Sequence, residues 1–216
     1  MATIVVPFRG PGGKQRLAAG SDEARAAIAH AMLGDVLDAC VASAPTVVVT
    51  NDPAARDLAE ERGARAVADP GGGQGAAVSS ALALLGQGVA LVVNADLPCA
   101  EPSDLLALAC AVPAGGMALV EAHDGTTNAL GLSRPDLFAP LYGPGSAARF
   151  RAHAASLGAE AVAVDLPNLL ADVDTVDQLE LLRDRVGART GALLAALDRA
   201  AGADAGAGAD VARVPA

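Results

Sequence analysis

Three apolar runs in the first hundred residues, Ile4 to Val6, Val47 to Val49 and Val89 to Val93, carry no polar residue at alternate positions. A strand with one wet face alternates apolar and polar side chains, whereas a strand covered on both faces does not. The runs therefore predict a sheet held between layers of helix. From Asp22 the apolar positions Ile28, Met32, Leu33, Val36, Leu37 and Cys40 recur at helical spacing, which predicts an amphipathic helix over residues 22 to 43. "PAARDLAEERG" has Pro53 in a first helical turn and Gly63 past the last. A further strand lies in "ARAVADPGGGQG" and a further helix in "AAVSSALALLGQG". This alternation is the pattern of an α/β fold with a mostly parallel central sheet, in which ligands bind beyond the carboxyl ends of the strands. The loop after the first strand and Asp96 after the fourth both fall there.

Beyond a helix near residues 101 to 111 the pattern changes. "GGMALVEAHDGTTNALGLSRPDLF" predicts two strands around a Gly/Thr turn, a small β insertion. "GSAARFRAHAASLG" reads as a helix opening at Ser146, and "AEAVAVDLP" as a strand. "LLADVDTVDQLELLRDRV" enters a helix whose Thr175 and Gln178 form a capping box. One domain is expected over residues 1–186. Residues 187–216, rich in Ala and Gly, read as an extension with little to bury, disordered from about residue 202.

The 216 residues suffice for one core, and a formal net charge of -10 argues against nucleic acid or an anionic membrane as partner. With 2% aromatic residues and no Trp there is no platform for stacking bases. Cys40, Cys99 and Cys110 lie far apart, which suggests neither a disulfide framework nor a zinc site. The run before Pro7 is too short for a signal segment or a membrane span, so a soluble cytoplasmic protein is expected.

Three places could carry chemistry. In "FRGPGGKQRL", Gly12 and Gly13 would let backbone N–H groups approach a phosphate, with Arg9, Lys14 and Arg16 supplying charge. A surface loop with solvated cations accounts for the same residues, which match neither a Walker loop nor G-x-G-x-x-G. Asp172 and Asp174 in "ADVDT" share one face of an extended backbone and could hold Mg²⁺, which prefers carboxylate and phosphate oxygens. Asp174 could equally favour the next helix through its dipole. Ser146 opens a helix, as an anion ligand or an ordinary cap. His30 reads as a surface position on its helix, and Cys40 and Cys110 as core.

In order and spacing, "VVPFRGPGGKQRL", "AHAMLGDVLDA", "VVVTND", "VVNADLP", "GTTNALGL", "YGPGSAARFRAHAASLG" and "LLADVDTVDQL" form a combination specific to one family. Over about residues 3 to 185 the chain resembles the guanylyltransferases of coenzyme F420 biosynthesis, which act on 2-phospho-L-lactate or phosphoenolpyruvate. They share a three-layer, Rossmann-like nucleotidyltransferase fold with the molybdenum cofactor guanylyltransferases. The resemblance implies that Asp96, Asp172 and Asp174 are Mg²⁺ ligands and that Thr127, Gly143 and Ser146 hold the acceptor's phosphate and carboxylate. Lys14 and Arg16 would face the triphosphate and form the catalytic set with Asp96, and Arg9, Gly12, Gly13, Gln74 and Gly75 would complete the nucleotide site with Lys14. GTP and a small phosphorylated carboxylic acid are the implied partners, and a homodimer is left open. The chain departs from the family at Phe8-Arg9, where Lys is usual, and at Gln74-Gly75, where Leu-Asn is usual. Other readings are a nucleotidyltransferase for molybdopterin or a sugar phosphate, a glycosyltransferase, and an inactive nucleotide-binding regulator.

Overall fold

The structure, a computed structural model, describes residues 2–13 and 21–210. Its first half alternates as the apolar runs require: β1 (Thr3–Pro7), α1 (Asp22–Ser43), β2 (Thr46–Val49), α2 (Pro53–Glu61), β3 (Arg65–Val67), α3 (Gln74–Leu82) and β4 (Ala90–Val93). The second half adds α4 (Pro102–Ala111), β5 (Met117–Glu121), β6 (Thr127–Leu132), α5 (Ser146–Ser156), β7 (Ala161–Ala163), α6 (Val176–Leu181) and α7 (Ala188–Asp210). The seven strands form one sheet in the order β3-β2-β1-β4-β6-β5-β7. Only β6 runs against the rest, pairing antiparallel with β4 and β5. The two strands expected as an insertion are thus built into the main sheet. All six residues of β6 are buried, so it needs cover on both faces and could not stand aside as an exposed hairpin.

Successive side chains on each strand enter opposite cores, the arrangement behind the missing polar alternation. Ile4, Val6, Leu91 and Val93 pack with α1, α2 and α4, whereas Val5, Val49, Ala90 and Val92 pack with α3 and α5. Burying each larger side chain contributes about 1.5–3 kcal/mol. α1 is apolar and long enough to cross a membrane, with a mean hydropathy of 1.4, but Ile28, Leu33, Val36 and Leu37 are buried within the domain. Its start is set by Ser21, whose Oγ accepts from the Ala24 N–H at 3.1 Å, with Asp22 and Glu23 in the first turn. Thr175 and Gln178 form the expected capping box on α6.

Two local expectations change. Cys110 is exposed: on α4 the buried positions are Asp104, Leu105 and Leu108, and two residues past Leu108 a helix faces away from its core side. The segment after residue 186, expected to bury little, contributes α7, which carries buried Thr190 and Leu194 against α1. α7 runs over Ala188–Asp210. Its anchor is Asp35, buried on α1, whose carboxylate accepts from the backbone N–H groups of Arg189 and Thr190, both at 2.9 Å.

Candidate functional site

The parallel strands and the reversed β6 deliver different chain ends to one edge of the sheet. β1 ends at Pro7 and β4 at Val93, while β6 begins there at Thr127 because it runs the other way. Past β4 the chain turns through Asn94, Ala95 and Asp96. Asn94 is held at this edge by two bonds to the start of β6: its backbone N–H donates to Asn128 O at 3.0 Å and its Nδ2 to Thr127 O at 3.2 Å. The loop before α6 then crosses over, fixed by the Val173 N–H donating to Asp96 O at 3.0 Å. Buried Val173 points into the core beside Met32 and Leu179, so Asp172 and Asp174 on either side share the opposite face.

That crossing brings Asp96, Asp172 and Asp174 together. All three are half-buried, and one carboxylate oxygen from each lies within 4.8 Å of the others. Three carboxylates this close repel one another in a medium less polar than water. A hard divalent cation with oxygen ligands would relieve that repulsion, so the donor set fits Mg²⁺. A cavity of about 270 Å³ opens beside the cluster, bounded by Arg9, Gly10, Gln74, Asn94, Asp96 and Asp174. Exposed Arg9 is the described cation on this wall, placed to meet an anion brought to the acids.

Gln74, the first residue of α3, separates this cavity from a second, open groove of about 980 Å³. The groove runs along Gly73, Gly75 and Ser79 to Tyr142 and Gly143. Gln74 Nε2 donates to Asn94 Oδ1 at 2.7 Å, and Asn94 in turn donates to Thr127 O, so one polar chain ties α3, β4 and β6 together. Thr127 and Ser146 lie behind the groove, almost fully buried, with Ser146 Oγ donating to Thr127 Oγ1 at 3.0 Å. Gly143 reaches the groove itself, on a loop whose carbonyls at Leu141, Tyr142 and Pro144 accept from the Arg149 guanidinium. Gly12 and Gly13 belong to a 3₁₀ turn, Pro11–Gly13, after the cavity wall. Lys14 and Arg16 lie outside the described residues.

The profile of the MobA-like NTP transferase domain family matches residues 20–200. The chain belongs to that family. Among relatives of this MobA-like NTP transferase, the phosphoenolpyruvate guanylyltransferase of Sphaerobacter thermophilus is 38% identical over 84% of the chain and 93% of its own length. That of Conexibacter woesei is 36% identical over 83% of the chain and 86% of its own. Solved structures share the fold. A nucleotidyl transferase from Methanothermobacter superposes with a TM-score of 0.61 at 18% identity, covering 85% of this chain and 96% of that one. Glucosyl-3-phosphoglycerate synthase from Mycobacterium tuberculosis, in complex with Mg²⁺ and uridine diphosphate, gives 0.54 at 14% identity, covering 77% and 69%.

The packing of α3 accounts for the glycine at position 75. A Cβ on Gly75 would stand 2.6 Å from Pro140 Cβ and 3.0 Å from its Cα, so only glycine lets α3 approach the 139–143 segment this closely. Gly→Ala inside a helix ordinarily stabilises by about 1 kcal/mol. Here Gly75→Ala is expected to destabilise by about 1–3 kcal/mol, because the neighbour is proline backbone that cannot rotate away. Urea unfolding checks this, and a variant more stable than wild type would show that the contact yields.

Sequence reasoning passed over Asn94 and Asp52 and placed His30 at the surface. Asn94 stood in view beside Asp96 in "VVNADLP", but no local pattern marks an amide that joins two strands. His30 is instead half-buried, its Nε2 3.0 Å from Asp52 Oδ1. Its partner lies 22 residues along the chain, a contact that helical periodicity cannot show.

Proposed function

We propose that this protein transfers a guanylyl group from GTP to the phosphate of phosphoenolpyruvate or 2-phospho-L-lactate, with release of pyrophosphate, in the cytoplasm. The observation that carries this reading is the convergence of Asp96, Asp172 and Asp174 beside Arg9, at a cavity that meets a second groove at Gln74. A nucleotidyl transfer needs two anionic substrates side by side with their charge neutralised where they meet. The names of the guanylyltransferase relatives, at 36% and 38% identity, supply the acceptor.

In this reading the triphosphate lies over Arg9 and the turn after β1, and Lys14 and Arg16, which follow in the sequence, are assigned to bind it. The base reaches toward Gln74, and the acceptor enters along the groove past Gly143, with Thr127 and Ser146 shaping that corner. An acceptor phosphate oxygen attacks the α-phosphorus of GTP. The bond from that phosphorus to the bridging oxygen breaks, and pyrophosphate carries the electron pair away. The attacking phosphate is already ionised at neutral pH, so no general base is required, in keeping with a site that holds no histidine among its described residues. Asp96, Asp172 and Asp174 would hold Mg²⁺, which supplies charge neutralisation for the attacking and leaving oxygens. The protein's own part is to fix the two substrates in line beside the acids.

One assay tests the reading. Purified protein with Mg²⁺, GTP or ATP, and each acceptor in turn is expected to release pyrophosphate only with GTP and a phosphorylated carboxylic acid. Release of a nucleoside diphosphate would indicate glycosyl transfer, and binding of GTP without turnover on any acceptor would indicate a regulator. Either result overturns the proposal.

A further inference from the structure

We propose that His30 is a positioning residue for nucleotide binding, acting through Asp52 and Phe8 on the turn that carries Arg9; the inference rests on the cavity beside Arg9 being the triphosphate site. The turn after β1 has little to hold its shape from within. Gly10 adopts a φ of +84°, a conformation that costs other residues strain and leaves glycine free to take several. What fixes it lies underneath. Phe8 donates its backbone N–H to Val49 O at 2.9 Å and is 7% exposed. Its ring lies 5.6 Å from the His30 ring, tilted by 48°.

The other side of His30 is tied to α2. Asp52, the N-cap of that helix, accepts from the Ala55 N–H at 2.9 Å through Oδ1, the oxygen that also faces His30 Nε2. The second oxygen, Oδ2, stands 3.2 Å from where a Cβ on Gly10 would be. Partial burial alone would raise the Asp52 carboxyl, but the Ala55 N–H and the His30 ring together hold it below the usual carboxylate range. Asp52 is thus a fixed anion against which Gly10 packs closely, while His30 orients it and supports Phe8. The neighbours of His30 on α1, Ala29 and Met32, line the same cavity. Arg9 stands between these two held residues and on the cavity wall, so their support bears on where it is presented.

His30→Ala removes both supports and leaves the acidic cluster untouched. The expected result is a rise of about tenfold in the KM for GTP, with kcat and the acceptor KM within about twofold of wild type, as for a misplaced binding group. His30→Gln, whose amide can donate to Asp52 at a similar reach, is expected to restore most of the loss. Phe8→Leu, which keeps the apolar plug but not the ring contact, is expected to show the same selective rise. A GTP KM that is unchanged in folded His30→Ala overturns the proposal. So does a uniform fall of all parameters with the thermal midpoint that glutamine fails to rescue. Wild-type protein without turnover would count against the functional reading instead, and equilibrium binding of Mg–GTP to the same variants then decides the role of His30.

Discussion

Asp96→Asn is expected to reduce pyrophosphate release by about 10³-fold, the scale on which removing a directly placed electrostatic group slows a transfer whose catalysis is positioning and charge. The fold should survive. Asp96 is half-buried, and one contact that ties its loop in place, the acceptance from the Val173 N–H, is made by the backbone carbonyl and remains in the variant. Mg²⁺ should raise the midpoint of the wild type by binding only the folded state, and raise that of Asp96→Asn much less. Scanning calorimetry with and without Mg²⁺ reads this apart from turnover. A variant that keeps full activity, or whose midpoint responds to Mg²⁺ as the wild type does, would remove Asp96 from the centre of the site.

The elements that local chemistry determines were legible in the sequence. β1 and α1 run over residues 3–7 and 22–43 as the apolar spacing predicts, because a strand stopped by proline and a helix begun by Ser21 are settled by neighbours along the chain. The convergence of Asp172 and Asp174 with Asp96 was legible only as a common face for the first two. Bringing in the third depends on the Val173–Asp96 backbone bond between segments far apart in sequence. Thr127 reaches the edge because β6 is reversed, a property of the pairing and not of its six residues. The resemblance implied Thr127 and Ser146 as acceptor ligands; in the fold their hydroxyls face each other, so the groove is presented by glycines and backbone more than by those side chains.

The docking of α7 was the least legible part and makes the second large prediction. The apolar contacts of this Ala- and Gly-rich helix rest on a few residues, Leu193, Leu194 and Leu197, and a polar anchor on α1 adds to them. Asp35 takes the place of an N-cap side chain, accepting from Arg189 and Thr190 in the first turn of α7, where the helix dipole favours an anion. Gly187 makes room for it: a Cβ there would stand 2.4 Å from Asp35 Cγ. Arg189 adds an ion pair, Nε to Asp38 Oδ2 at 3.1 Å. Asp35→Ala leaves those first-turn N–H groups without their acceptor in a site that water reaches poorly, which costs about 3 kcal/mol. For a domain of this size that lowers the thermal midpoint by about 6–12 °C. Asp35→Asn keeps one acceptor oxygen and is expected to lose about half as much. The effect extends toward the acids, because the Gly187 N–H donates to Pro98 O at 2.7 Å in the turn that follows Asp96. Turnover in Asp35→Ala is therefore expected to fall with temperature before global unfolding, with a smaller early loss in Asp35→Asn; a midpoint unchanged in Asp35→Ala would mean that α7 is held by its apolar contacts with Ile28 and Leu182 instead.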